Sequence, residues 1–292
     1  MGEIIKKHKT SNEYLLETDK KIREIFTMIK NRAPEAIVNT EKKEYSCPGN
    51  VPIKHVFIGD RQFETTTGLY NFSENGCLYY CPTCLQNYNS EVSLKRHVLR
   101  CPKLISGSIK VYEERNLTVY KIEGRSNIPF CQALCVLGRC FIGNKTLYLD
   151  IENYNFYILF EGSSFVGYFS DEHFNEKHNL SCILILPDHQ RKGYGTLMVD
   201  ISYYFKEGTP EKPFSAGGAK LYNKYWTAKV NKYLVEHSNQ YKSIKDISEG
   251  TNMTIDDVII GLEHLGIDLH TQNEFVCKTI PCRFIDETRI LK

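Results

Sequence analysis

Two groups of residues in this chain have the types and spacing to do chemistry. The first, within residues 81–101, is Cys81-x2-Cys84-x12-His97-x3-Cys101. Two thiols across a tight turn, then an imidazole and a thiol about one helical turn apart, offer three sulfurs and one nitrogen to tetrahedral zinc. Four protein ligands leave no open position, so such a metal is structural rather than catalytic. The second group spans residues 180–196. There an apolar strand carrying Cys182 runs into Gln190-Arg191-Lys192-Gly193-Tyr194-Gly195-Thr196, and an amphipathic helix follows. Gly193 and Gly195 clear side chains from the backbone, so successive N–H groups can point at one anion. The positive end of the helix lies behind them, and Arg191 and Lys192 add charge at the rim. That is chemistry for holding a phosphate or pyrophosphate.

These groups need elements to position them. Residues 10–32 read as a helix, with Thr10 and Glu13 at capping-box spacing and Leu15, Leu16, Ile22, Ile25, Phe26 and Ile29 on one face. Pro34 ends it, and residues 33–50 read as a linker. Short alternating runs predict strands from Val51 to Tyr80. Ser93 to Arg100 reads as a helix presenting His97 and Cys101. A strand or hairpin is expected over 111–123, an apolar helix over 128–142, and strands at 145–150, 154–161, 164–169 and 180–186. The helix from 195 to about 205 has Leu197, Met198, Ile201, Tyr204 and Phe205 as its inward stripe. Residues 244–265 read as helix, Gly-containing turn, helix. The class is α+β, with a mixed central sheet and helices at the end.

Composition removes several functions. Thirty-seven basic against thirty-five acidic residues leave a formal charge of +2, which argues against a protein that coats nucleic acid and allows a local basic patch. No run of 18 or more apolar residues offers a membrane span. The start, Met-Gly-Glu-Ile-Ile-Lys-Lys, lacks the apolar region of a signal peptide. Eleven cysteines, an odd number partly in apolar segments, fit reduced thiols of the cytosol or nucleus. Lys95, Arg96 and Arg100 on the finger helix could touch phosphates. A single finger buries too little for sequence-specific reading, so a stapling role is favoured. Cys131, Cys135 and Cys140 sit among Phe130, Leu134, Val136, Leu137 and Phe141 and read as core thiols. Cys47, Cys77, Cys277 and Cys282 carry no usable pattern.

A series of further motifs follows in fixed order: Phe130-Cys131-Gln132-Ala133-Leu134-Cys135, Asn144-Lys145-Thr146-Leu147-Tyr148-Leu149-Asp150 and Val166-Gly167-Tyr168-Phe169-Ser170. Asn179-Leu180-Ser181-Cys182-Ile183-Leu184-Ile185-Leu186-Pro187, the glycine turn, Gly208-Thr209-Pro210-Glu211-Lys212-Pro213-Phe214-Ser215 and Tyr225-Trp226 complete it. With the zinc pattern, this chain resembles the MYST family of histone acetyltransferases over about residues 51–280. The resemblance implies a sheet of the acetyl-CoA-dependent N-acyltransferase type, with an N-terminal zinc finger lobe and a C-terminal helix-turn-helix-like lobe. It divides the chain into an extension, 1–45, and a catalytic domain, 46–292. Within that domain 81–101 is the finger, about 145–226 the acetyl-CoA core and about 227–292 the helical lobe.

The implied reaction moves acetyl from acetyl-CoA to a lysine ε-amine of histone tails, in the nucleus. The resemblance puts cofactor contacts on the backbone of Ile183, Leu184 and Ile185, on Gln190 to Thr196, and on Ser215. A lysine with a reference pKa of about 10.4 is neutral only about once in a thousand at pH 7.4, so a base is needed. Read alone, Glu211 is a solvated loop glutamate and Cys182 a core thiol. The family motif makes Glu211 the general base and Cys182 an active-centre residue. Cys182 then either carries an acetyl-thioester or walls the thioester while lysine attacks directly; direct attack is favoured, with a backbone N–H near Cys182 for the oxyanion. Lys145 matches the family's autoacetylated lysine.

Departures from the family exist. Ala216-Gly217-Gly218-Ala219-Lys220 stands where Asp-Leu-Gly-Leu usually follows Ser215, an expectedly flexible run. Lys224 replaces a small residue and either reaches a CoA phosphate or is solvated. About 45 residues ahead of the catalytic region are too few for a chromo-barrel, so recruitment to nucleosomes is expected through accessory subunits, with DNA contact at most indirect. Competing readings are an acetyltransferase of non-histone proteins and a non-enzymatic zinc-finger DNA-binding module.

Overall fold

The computed structural model describes residues 50–73, 75–102, 105–143, 150–238, 243–267 and 280–291, all within the unit Ser46–Lys292. The expected helix at 10–32, most of the linker at 33–50, the strand at 145–150 and Lys145 lie outside the described residues.

The first strands are short: Asn50–Pro52 (β1), His55–Ile58 (β2), Arg61–Glu64 (β3), Tyr70–Phe72 (β4), Cys77–Tyr80 (β5) and Asn87–Tyr88 (β6). They form a β1–β4 pair and a sheet of order β3-β2-β5-β6. The finger helix Glu91–Val98 (α1) starts two residues earlier than its expected bound; Ser90 caps it by accepting from the Ser93 N–H.

Ser108–Glu114 (β7) and Leu117–Glu123 (β8) make the hairpin, and Ile128–Phe141 (α2) follows with Asn127 as its cap. Tyr154–Glu161 (β9), Ser164–Glu172 (β10), His178–Leu180 (β11) and Cys182–Ile185 (β12) lead to the helix Tyr194–Phe205 (α3) and the two-residue strand Thr209–Pro210 (β13). The central sheet has the order β12-β10-β9-β8-β7. Its four ladders are antiparallel; tight hairpins set that direction for β7–β8 and β9–β10. The central sheet is therefore antiparallel and not mixed as expected: among the described residues, parallel pairing occurs in the separate two-stranded β11–β13 sheet and between β2 and β5 of the four-stranded one. Strand β9 is buried along both faces. Phe156, Ile158 and Phe160 pack with the α2 side, and Tyr157 and Leu159 with the α3 side.

Helix α3 corrects the expected stripe. Thr196 to Tyr203 are buried all round, whereas Phe205 is 37% exposed. The helix is covered on both sides, by the sheet and by the long helix Ala216–Glu236 (α4), and only its last residues reach solvent. Helix α4 replaces the flexible run expected after Ser215. Ser215 caps it, its Oγ accepting from the Gly218 N–H at 3.0 Å. Tyr222, Tyr225, Trp226, Val230 and Tyr233 recur at helical spacing and are buried.

Ile244–Thr251 (α5), opened by a Ser243–Asp246 capping box, and Ile255–Leu265 (α6) form the helix-turn-helix. The turn residue is Asn252, left-handed at φ 57°. Gly250 lies inside α5, where a Cβ would come within 2.2 Å of the Tyr233 ring. Cys131, Cys135 and Cys140 are core thiols, as expected. Among the described residues, no helix is long and apolar enough to cross a membrane.

Candidate active site

The site is organised by β12, the terminal strand of the central sheet. Its ladder with β10 pairs Cys182 with Ser170, Ile183 with Phe169, Leu184 with Tyr168 and Ile185 with Gly167. Alternation along an antiparallel strand turns every second residue's backbone to the outer edge. Leu184 faces inward: a Cβ on Gly167 would lie 2.2 Å from its carbonyl oxygen. Ile183 and Ile185 therefore present N–H and C=O groups at the open edge. There the Gln190 side-chain amide donates to the Ile185 carbonyl at 3.0 Å.

Beyond β12 the chain turns through Pro187–His189. Arg191 and Gly193 both have left-handed φ, 61° and 86°, and Gly193 is the N-cap of α3 with no side-chain cap bond. The first-turn amides of α3 therefore lack a side-chain partner at the cap, the condition for an anion site. Arg191 and Lys192 are exposed at the rim and Tyr194 is buried beneath it. The two glycines have different reasons. Gly193 supplies a conformation; Gly195, inside α3, lets Leu221 of α4 come within 3.1 Å of where a Cβ would sit. Thr196 Oγ1 donates to the Gly193 carbonyl at 2.9 Å and accepts from the Arg283 N–H at 3.3 Å.

Sequence reasoning missed a buried anchor of this turn. His189 Nδ1 lies 2.7 Å from Asp188 Oδ1 and its Nε2 3.7 Å from Glu161 Oε2. Arg61 pairs with Asp188 at 3.1 Å. Burial pushes the Asp188 carboxyl up, but hydrogen bonds from His189 and Arg61 outweigh it and hold the group below the usual range. A histidine following Pro187-Asp188 carries no sequence signal that would single it out.

At the other end of β12 lies a cleft of about 350 Å³, whose lining includes Tyr154, Cys182, Ile183, Glu211, Ser215 and Tyr222. Cys182 is half-buried and Glu211 exposed. The Glu211 N–H donates to the Leu180 carbonyl at 2.8 Å, which ties the loop after β13 to the strand before Cys182. Phe214 stacks on Tyr222, ring centroids 5.1 Å apart, and closes one wall. The structure thus brings Cys182, Ile183, Glu211 and Ser215 together. Gln190 to Thr196 lie at the far end of the same strand, and Lys224 is exposed on α4 outside the cleft lining.

The Cys/His quartet also converges. Cys81, Cys84, His97 and Cys101 bring one ligand atom each to within 4.8 Å of one another. The Cys81 and Cys101 sulfurs are 3.7 Å apart, and Cys84 Sγ is 3.1 Å from His97 Nε2. Two thiolates roughly 2.3 Å from a tetrahedral zinc stand about 3.8 Å apart, so the donor set fits that ion. Burial, with the neighbouring Cys81 charge adding to it, pushes the Cys84 thiol up to about 12. A divalent cation would reverse that and hold the thiolates.

The described domain is α+β, with an uncapped glycine turn able to hold an anion at one end of an open-edged strand and a thiol–carboxylate cleft at the other. Residues 106–286 match the MOZ/SAS family, and the chain belongs to that family, the MYST group its motifs resemble. It is 37% identical over 230 residues to Histone acetyltransferase SAS3 of Saccharomyces cerevisiae, covering 68% of this chain and 28% of that protein. It is 38% identical over 208 residues to Histone acetyltransferase mst2 of Schizosaccharomyces pombe, covering 68% and 50%. Against human Histone acetyltransferase KAT6B the identity is 38% over 198 residues, covering 64% and 10%. The chain spans half or less of the length of these relatives.

Proposed function

We propose that this protein transfers acetyl from acetyl-CoA to lysine ε-amines of histone tails, and that it does so on nucleosomes in the nucleus with accessory subunits. One observation carries the reading: Cys182 and Glu211 share a cleft at one end of β12, and the strand's other end opens onto the Gly193 turn. The uncapped amides of α3, with Arg191 and Lys192, hold the pyrophosphate. The outward backbone of Ile183 and Ile185 orients the pantetheine arm along the strand edge, which brings the thioester to Cys182. Ser215 keeps α4 in register at the cleft mouth, and Lys224 is free to meet an outlying phosphate. Zinc held by Cys81, Cys84, His97 and Cys101 staples the finger and takes no part in the chemistry.

Glu211 removes the proton that keeps the substrate lysine unreactive, a cost of roughly 4 kcal/mol at neutral pH. The freed amine attacks the thioester carbonyl, with a backbone N–H near Cys182 facing the oxyanion; the intermediate loses its second amine proton and collapses with cleavage of the C–S bond, and CoA leaves as the thiol after taking up a proton. Cys182 serves as the wall of this pocket. Lys145 is the expected site of autoacetylation; a purified protein without a one-acetyl mass shift that Lys145→Arg removes would count against it.

The decisive assay is radiolabelled acetyl-CoA with core histones, nucleosomes and total extract. Glu211→Gln is expected to lose roughly 10²–10⁴-fold at neutral pH and to recover as pH rises and lysine deprotonates in solution. Full activity of Glu211→Gln at both pH values overturns the general base. Cys182→Ser retaining activity supports direct attack. Label entering other proteins and not histones moves the substrate elsewhere.

A further inference from the structure

Strand β13 delivers Glu211 to the cleft yet is two residues long, too short to fix a loop by its own ladder. The C-terminal helices complete the support. Gly208 forms a bridge with Met253, in the turn between α5 and α6. Thr209 Oγ1 donates to Asp257 Oδ1 of α6 at 3.0 Å. Asp257 is fully buried, and its second oxygen accepts from the Tyr203 hydroxyl of α3 at 3.0 Å. That hydroxyl accepts in turn from Trp226 Nε1 of α4 at 2.8 Å. Thr254, the cap of α6, receives the Asp257 N–H at 3.3 Å. A carboxyl is tolerated at such depth only when donors surround it, and these donors come from β13 and α3, with α4 joined through Tyr203. Burial raises the Asp257 pKa, and the Thr209, Tyr203 and Thr254 hydrogen bonds offset part of that rise.

We infer that Asp257 is a positioning residue for Glu211: through Thr209, two residues upstream, it fixes the backbone from which the carboxylate reaches the cleft. The helix-turn-helix lobe is then a buttress of the proton-accepting side of the site. This rests on the reading of Glu211 as base.

The test uses the full chain, with acetyl-CoA and core histones. Thr209→Val keeps the shape and removes the donor. Its kcat is expected to fall roughly tenfold to hundredfold, the cost of displacing a reacting group by about 1 Å. KM for acetyl-CoA should stay within about twofold, because the β12 edge and the Gly193 turn are held by other contacts. Thr209→Ser, which restores the hydroxyl, should return kcat to within about threefold, and Asp257→Asn should repeat the kcat loss of Thr209→Val. Wild-type kcat in folded Thr209→Val overturns the inference, as does equal loss in Thr209→Val and Thr209→Ser. Glu211→Gln run alongside separates the two levels. If it is fully active the base assignment falls, and the inference with it; if it is inactive while Thr209→Val is not, the inference alone falls.

Discussion

Replacing Gly193 by alanine should damage stability and co-substrate binding together, and the structure sets the size of both effects. Gly193 has φ +86°, a region that costs an L-residue roughly 1–2 kcal/mol. The added Cβ would stand 3.1 Å from Arg283 Cβ, so the 280–291 segment must also give by a few tenths of an ångström. A total near 2 kcal/mol lowers the melting temperature of a domain this size by about 4–8 °C. If the backbone relaxes instead, the N-cap rotates and the first amides of α3 lose their common direction. Each charge-assisted hydrogen bond lost is worth roughly 1.5–3 kcal/mol, or about 10- to 150-fold in CoA affinity. Gly195→Ala is the control. It sits in a helix, where alanine is favoured over glycine by about 0.8–1.0 kcal/mol, and its Cβ would meet a rotatable Leu221 methyl at 3.1 Å. Its net effect on stability should stay within about 1 kcal/mol. Calorimetric titration with CoA and thermal melts with and without it read both quantities. Wild-type CoA affinity in Gly193→Ala, with loss confined to Gly195→Ala, would refute the reasoning that the left-handed cap builds the anion site.

Metal analysis of the purified chain should find about one zinc per molecule, and His97→Ala should lose it with a marked fall in melting temperature, since structural zinc contributes folding energy directly; an unchanged melt in zinc-free protein would contradict this. Gly167→Ala would set a Cβ 2.2 Å from the Leu184 carbonyl oxygen, prising β12 from β10, and should cost about 3 kcal/mol or more, read as a lowered urea midpoint. The Asp257 carboxyl is raised by burial, so the folded state holds its proton to higher pH than the unfolded chain does. Its contribution to stability is full below the unfolded value, about 3.9, and is lost as pH rises through the folded value. Asp257→Asn should flatten that descent in urea titrations across acidic pH; an unaltered slope would argue against the burial.

What could be read in the sequence was what depends on local pattern. The zinc spacing, the 154–161 strand and the two tail helices each follow from period or ligand chemistry within one short segment of chain. Helix α4 was not legible because Gly217 and Gly218 look like a breaker. A Cβ at Gly217 would meet only the Ser215 hydroxyl, at 3.9 Å, so no close packing demands that glycine, and the aromatic ladder from Tyr222 to Tyr233 decides the segment. The site was legible as motifs and not as geometry. Nothing local says that Leu180 and Glu211 share a hydrogen bond, that His189 braces the turn from beneath, or that Thr209 answers to an aspartate 48 residues later. Those contacts depend on which elements the fold makes neighbours.

The same geometry argues against the tail as a reader of DNA. A recognition helix must present one free face to the groove. The apolar face of α6, Val258, Leu262 and Leu265, is buried, and Gly261 sits where a Cβ would meet Val230 at 2.8 Å and the Trp226 carbonyl at 3.0 Å. Helices α4 and α6 are therefore in backbone-close contact. What α6 leaves outside includes Asp256, Glu263 and the half-exposed Ile255, a face that phosphates repel. Its most deeply buried charge, Asp257, points inward to Thr209. A helix whose buried side is spent on α4 and on the Glu211 loop, and whose free side is acidic, has its energy committed to the cleft rather than to a nucleic acid.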